Sequence, residues 1–131
     1  MIQMRVMASA LIVALSLIAA CEEPVEHETR VDLTNRVDRA EQLLSAGKAV
    51  EAGAIVDILL GQYSDDWRVH DLAARIHLQQ GIRLRDDGLI EQSQAELLQA
   101  VSAYQKATAL VPALAGLYTS AGNAAVMAGD K

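Results

Sequence analysis

Between Asn35 and Lys131 the sequence is rich in alanine and leucine, and glycine is what interrupts it. Gly47, Gly61, Gly81, Gly88 and Gly129 punctuate long stretches in which apolar residues recur three and four positions apart. That spacing belongs to helices, and no β-branched alternation persists to suggest strands. Phenylalanine is absent, and Pro112 breaks the pattern once. Gly47 and Gly81 stand 34 residues apart. An interval of that size predicts a helical hairpin repeated along the chain.

The residues around Pro112 sharpen this expectation. In "AVSAYQKATALVP", Ala100 is followed four residues later by Tyr104, and Pro112 closes the segment. Six residues beyond the proline, "YTSAGNAA" places Tyr118, Ala121, Gly122 and Ala125 at the spacing of a first helix, and Gly129 falls where its turn is due. This pattern resembles a tetratricopeptide repeat (TPR), with Tyr118 in the place of the tryptophan, Ala121 and Gly122 for the Leu-Gly pair and Ala125 for the tyrosine. The small residues would let helices approach to about 8–10 Å. Tyr104 and Tyr118 would fill the gaps between hairpins, and Pro112 would end a helix because it lacks an N–H and disfavours helical geometry before it. The first hairpin echoes the pattern more weakly, with Ala52 and Val56 in place of Ala100 and Tyr104, and Ser64 for the proline. In "SDDW", Ser64 or Asp65 is expected to cap the next helix. The helix before Gly47 carries Arg36 and Arg39 where bulky apolar residues belong, as a solvated end helix would. The resemblance implies an all-α fold, a TPR-like right-handed superhelix of antiparallel helical hairpins with about two and a half repeats, over residues 35–131.

Gly81 to Gly129 is 48 residues, 14 more than the first interval. The extra residues are either a surface insertion or two equally lengthened helices. "GIRLRDDGLIEQSQAELLQA" keeps helical character except at "RDDG". We therefore expect about two added turns on each helix, with Asp86–Gly88 at the tip. Ile82, Leu84, Leu89, Ile90, Leu97, Leu98 and Val101 would pack along the added length. The last helix segment, "AGLYTSAGNAAVMAG", is nearly uncharged. It fits either the capping helix of a short array, or an array that continues beyond Lys131 or is covered by a partner.

Chemistry-bearing residues are sparse. His70 and His77 lie seven apart, about 10.5 Å along a helix axis, too far to chelate one ion together. The repeat register puts both at packing positions. Asp86 and Asp87 form a turn, Trp67 sits at a helix start, and His27 has no second ligand nearby. No nucleophile elbow, phosphate loop, zinc spacing or carboxylate pair emerges. The expectation is a non-enzymatic protein without metal or cofactor. In TPR proteins the first helix of each hairpin lines a peptide groove. Carried onto this chain, the groove residues would be Arg68, Asp71, Arg75 and Gln79, then Thr119, Asn123 and Val126; a solvated helix face is the plainer alternative. Asn123 matches the asparagine of a carboxylate clamp, but Thr119 stands where its lysine would be.

The N-terminus carries the address. Arg5 precedes "VMASALIVALSLIAA", an uncharged run of 15 residues from Val6 to Ala20. A spanning helix needs about 20 apolar residues, so this length suits a cleaved signal peptide better. Ile18, Ala19, Ala20 and Cys21 resemble the bacterial lipobox, in which the cysteine thiol receives diacylglycerol and the signal is cut before it; an ordinary cleaved signal is the alternative. The only cysteine of the chain cannot form an internal disulfide, and Glu22, Glu23, Glu26 and Glu28 oppose a reactive thiolate. The resemblance implies lipidation at Cys21, each buried methylene adding about 0.8 kcal/mol of anchoring. With Glu22 rather than aspartate next, it implies sorting to the outer membrane, facing the periplasm. Residues 1–20 would be signal, 21–34 an acidic tether containing Pro24, and 35–131 the helical domain.

The chain has 11 basic and 17 acidic residues and a net charge of −6. An acidic chain is a poor ligand for nucleic acid or anionic lipid. The functional expectation is a lipid-anchored periplasmic scaffold or adaptor for protein partners in envelope assembly, such as pilus, secretin or outer-membrane machinery. The alternatives are a periplasmic enzyme accessory, a small-ligand-binding lipoprotein and a truncated member of a longer TPR array. Replacing Cys21→Ser should release the protein from membranes and abolish labelling by a fatty-acid analogue. Persistent membrane-bound label would refute lipidation.

Overall fold

The computed structural model describes residues 29–129. The signal and most of the tether expected from the sequence lie outside them. All the regular structure described is helical: α1 (29–45), α2 (Ala49–Gln62), α3 (Trp67–Asp86), α4 (Ile90–Leu110) and α5 (Ala115–Met127). The chain divides after Asn35. Residues 29–35 are the opening turns of α1, so the end of the expected tether is helical. The packing below concerns the part from Arg36 on.

Three glycines set the turns. Gly47, Gly88 and Gly129 have φ of 78°, 80° and 77°, a left-handed geometry that a Cβ would oppose. After α1, Lys48 N–H bonds to Leu43 O at 2.9 Å and Gly47 N–H to Leu44 O at 3.0 Å. After α3, Leu89 N–H reaches Leu84 O at 2.9 Å and Gly88 N–H reaches Arg85 O at 2.9 Å. Both pairs form the Schellman closure of a helix C-terminus. These turn glycines recur at 41-residue intervals, not 34. Gly61 and Gly81 turn nothing; each lies inside a helix.

The two intervals are reconciled by the α3–α4 hairpin. Its helices are 20 and 21 residues long, against 14 for α2 and 13 for α5. α3 runs five residues past Gly81, to Asp86, and its turn glycine stands two further on, so the added length is helix and the tip is at Asp87–Leu89. Gly81 is a point of close approach in the pair. A Cβ there would lie 2.8 Å from Leu97 Cγ and 3.3 Å from Ser93 O. Ser93 Oγ donates to Gly81 O at 2.6 Å in a buried site. Beyond this contact the tip is not packed as expected. Ile82, Leu89, Ile90 and Leu98 are exposed, Ile90 at 59%, and of the expected tip residues Leu97 alone is fully buried. One antiparallel pair has a single buried seam, and the remaining apolar side chains lie off it.

α2 packs on α3, α3 on α4 and α4 on α5. The core consists of Val56 and Leu59 of α2, Val69 and Leu72 of α3, and Leu97 of α4, with Ala52, Ala100 and Ala107 giving close approach. Tyr104 is 2% exposed, as expected of a gap filler. Tyr118 is not: it is 53% exposed, and Gly122 has nothing within 4 Å of its Cβ direction. Among the described residues no helix covers that side of α5. Val111 follows α4 and Pro112 bars its continuation.

The cap of α3 is Asp66, two residues after Ser64 and one after Asp65. Its carboxylate accepts from Arg68 N–H at 3.0 Å and from the Arg68 guanidinium at 3.1 and 2.9 Å. The Arg68 hydrogen bond holds the Asp66 carboxyl below its usual range, and Asp66 in turn raises Arg68. A cap of this kind contributes about 1 kcal/mol.

Two of the helical glycines predict substitutions of opposite sign. Gly122→Ala meets open space and should stabilise by about 0.5–1 kcal/mol through helix propensity. Gly81→Ala gains the same propensity but drives a methyl into Leu97. Overpacking at about 1–3 kcal/mol should leave it less stable than the parent. Urea unfolding followed by circular dichroism measures both.

Candidate functional site

α3 carries a polar stripe in which Arg68, Asp71, Arg75 and Gln79 recur every three or four residues, so all four share one face. That face meets α1. Arg75 Nη2 pairs with Glu41 Oε1 at 2.7 Å, Gln79 Nε2 donates to Leu44 O at 3.2 Å, and Arg83 Nη2 donates to Gly47 O at 3.1 Å. The partners are 34, 35 and 36 residues apart in sequence. The stripe is therefore a set of rungs between two helices as well as a surface. Arg68 stands aside from the rungs, bound to its own helix cap.

Asp71 and Arg75 form the centre. Arg75 Nε lies 3.2 Å from Asp71 Oδ2, close enough for an ion pair but without hydrogen-bond alignment. Burial raises the Asp71 carboxyl above its usual range; Arg75 opposes this, and Glu41 adds to it. Tyr104 reaches the same place from α4. Its hydroxyl pairs with Ser120 of α5, and burial and the Asp71 charge raise its pKa. Five side chains from four helices thus meet here: Glu41, Asp71, Arg75, Tyr104 and Ser120. Two carboxylates flank one guanidinium that keeps 37% side-chain exposure, so the centre can exchange ion pairs with a docking chain. It presents no activated nucleophile.

The α5 residues are arranged differently. Thr119, Asn123 and Val126 are all exposed, Val126 at 76%, and the Thr119 hydroxyl turns back toward Ala115 O at 3.5 Å. Asp71, Arg75 and Gln79 are brought together with α1, while the α5 trio lines an open face. Cys21, the lipidation residue expected from the sequence, lies outside the described residues.

The sequence reading passed over Glu41, Ser120 and the polar end of Tyr104. Glu41 lies on another helix, 34 residues before the Arg75 that it pairs with. Of the two histidines among the described residues, His70 is buried and its Nε2 donates to Ser64 O at 2.6 Å. His77 is half-buried, with Nδ1 2.6 Å from Glu96 Oε2.

Comparison with family models, with curated proteins and with solved structures finds no match to this chain.

The Asp71 environment predicts a pH signature. The folded-state pKa is raised, so the folded form binds the proton more tightly than the unfolded chain. The contribution of Asp71 is then fully present below its unfolded value of about 3.9 and is lost as pH rises through the folded value. The stability of the parent relative to Asp71→Asn should fall over that window and level off above it. Urea midpoints measured from acid to neutral pH test this, and a flat difference would refute it.

Proposed function

We propose that this chain is a lipid-anchored, non-enzymatic scaffold in the periplasm, held at the outer membrane through Cys21. Its helical domain is a TPR-like right-handed superhelix of about two and a half repeats that binds a protein partner of the envelope. The observation that carries this reading is the α1–α3 ladder, whose rungs join residues 34–36 apart. Such offsets are what a 34-residue hairpin repeat produces when equivalent helices lie side by side. Two features lend further support. Asn123 and Val126 leave an uncharged face of α5 open to solvent. Arg75 and Glu41 keep accessible charge on the neighbouring face. In this reading the partner is a peptide segment laid along the first helices of the hairpins, and its assembly class is pilus, secretin or outer-membrane machinery.

The test is a pull-down of the full chain after membrane solubilisation, with Val126→Asp beside the parent. A stoichiometric envelope protein bound by the parent and lost from the variant is the expected result. Absence of any protein partner, together with a small molecule retained in native mass spectrometry, would reject the scaffold.

A further inference from the structure

The side of α3 opposite the Asp71–Arg75 stripe borders a second concavity. A cleft of about 290 Å³ lies between α2 and α3. Its apolar lining includes Gly53, Ala54, Val56 and Leu60 from α2 and Ala73 and Ile76 from α3. Gly53, Ala54 and Ala73 are the small residues among these six, and they leave room where larger side chains would interlock. Its rim is polar, with Asp57 from α2 and His77 from α3.

Asp57 is the only Asp, Glu, Lys or Arg among the lining residues, beside His77 and Gln80. α2 holds Glu51 and Asp57 and no basic residue. The His77 ring is fixed by Glu96 of α4 through Nδ1. A carboxylate accepts, so Nδ1 carries the proton toward Glu96, and the His77–Glu96 pair brings no net positive charge to the rim. Asp57 thus offers an unopposed carboxylate beside an apolar lining. A group that satisfies both must combine an aliphatic part with a donor cation. The volume is at the low end of the roughly 300–1,000 Å³ of small-molecule sites, which suits one or two side chains of a longer segment. The exposed side chain of Val50, at 73%, extends the apolar surface from the same cleft onto the outside of α2.

We propose that the α2–α3 cleft docks a short peptide segment of a partner protein, with an aliphatic side chain on the apolar lining at Gly53 and Ile76 and a nearby lysine or arginine on the Asp57–His77 rim. This site is separate from the face invoked for the scaffold and does not depend on the repeat reading.

A random dodecapeptide phage library selected on the full chain in non-ionic detergent tests the proposal, with the Gly53→Leu chain as soluble competitor. A Cβ at Gly53 would lie 3.8 Å from Ile76 Cγ2, ordinary contact, so leucine fits the backbone and fills the cleft. The expected survivors share an aliphatic residue with lysine or arginine within three positions. Their synthetic forms, titrated by fluorescence anisotropy, should bind about tenfold more weakly or worse to Gly53→Leu and to Asp57→Lys. Glu91→Lys, the same charge change at the far end of α4, should leave binding unchanged. Circular dichroism establishes that each variant folds, and the exposed Asp57→Lys decides the matter if Gly53→Leu does not. Failure to enrich any peptide over the competitor, survivors lacking a basic residue, or equal losses in Glu91→Lys and Asp57→Lys would overturn it.

Discussion

At Gly81 the backbone of α3 approaches α4 so closely that no side chain fits between them, and Ser93 closes the gap by bonding to the glycine carbonyl at 2.6 Å. Both helices are anchored by this contact. On one side of it, Leu72, Leu97, Ala100 and Tyr104 bury the hairpin against its neighbours. On the other, α3 continues for five residues, about a turn and a half, with little to bury. The buried hydroxyl–carbonyl bond also fixes which residues face each other, since a slip along either helix would leave Ser93 Oγ buried and unpaired. The position of α3 then determines the rest: its polar stripe meets α1, and its opposite side forms the α2–α3 cleft.

The helices and their lengths could be anticipated because helical periodicity and turn glycines are local signals. Sequence alone could not say which glycine was a turn. Gly81 and Gly88 both punctuate the pattern, and only the positive φ of Gly88 and the Leu97 contact of Gly81 distinguish them. The cap of α3 was misplaced for a similar reason. Ser64, Asp65 and Asp66 are all good caps, and the Arg68 guanidinium selects the one whose carboxylate it can grip with two nitrogens. Tyr118 and the apolar tip residues were expected to be packed because pattern matching records which residues would fit a neighbour, not whether a neighbour is there.

The functional residues divide along the same line. Arg68, Asp71, Arg75 and Gln79 share a face by spacing alone, which the sequence contains. Their partners do not follow from spacing: Glu41 and the Leu44 carbonyl belong to another helix, and Tyr104 with Ser120 to two more. The α2–α3 cleft left no trace in the sequence, since Gly53, Ala54 and Ala73 resemble ordinary helix formers until two helices are set against each other. His77 seemed a packing residue for want of a second ligand, and Glu96 gives it a fixed orientation without one.

The paired lengthening of α3 and α4 bears on how such a chain can change over evolutionary time. Seven residues are close to two full turns, so adding them returns a helix to nearly the same angular phase. Gain or loss of a heptad on both arms leaves the Gly81–Ser93 seam and every face beyond it pointing as before. A single-arm deletion, or an insertion of any other size, would rotate one helix against its mate. Length polymorphism in this hairpin should therefore come in matched heptads, making its tip a place where reach can be altered without rewriting the core.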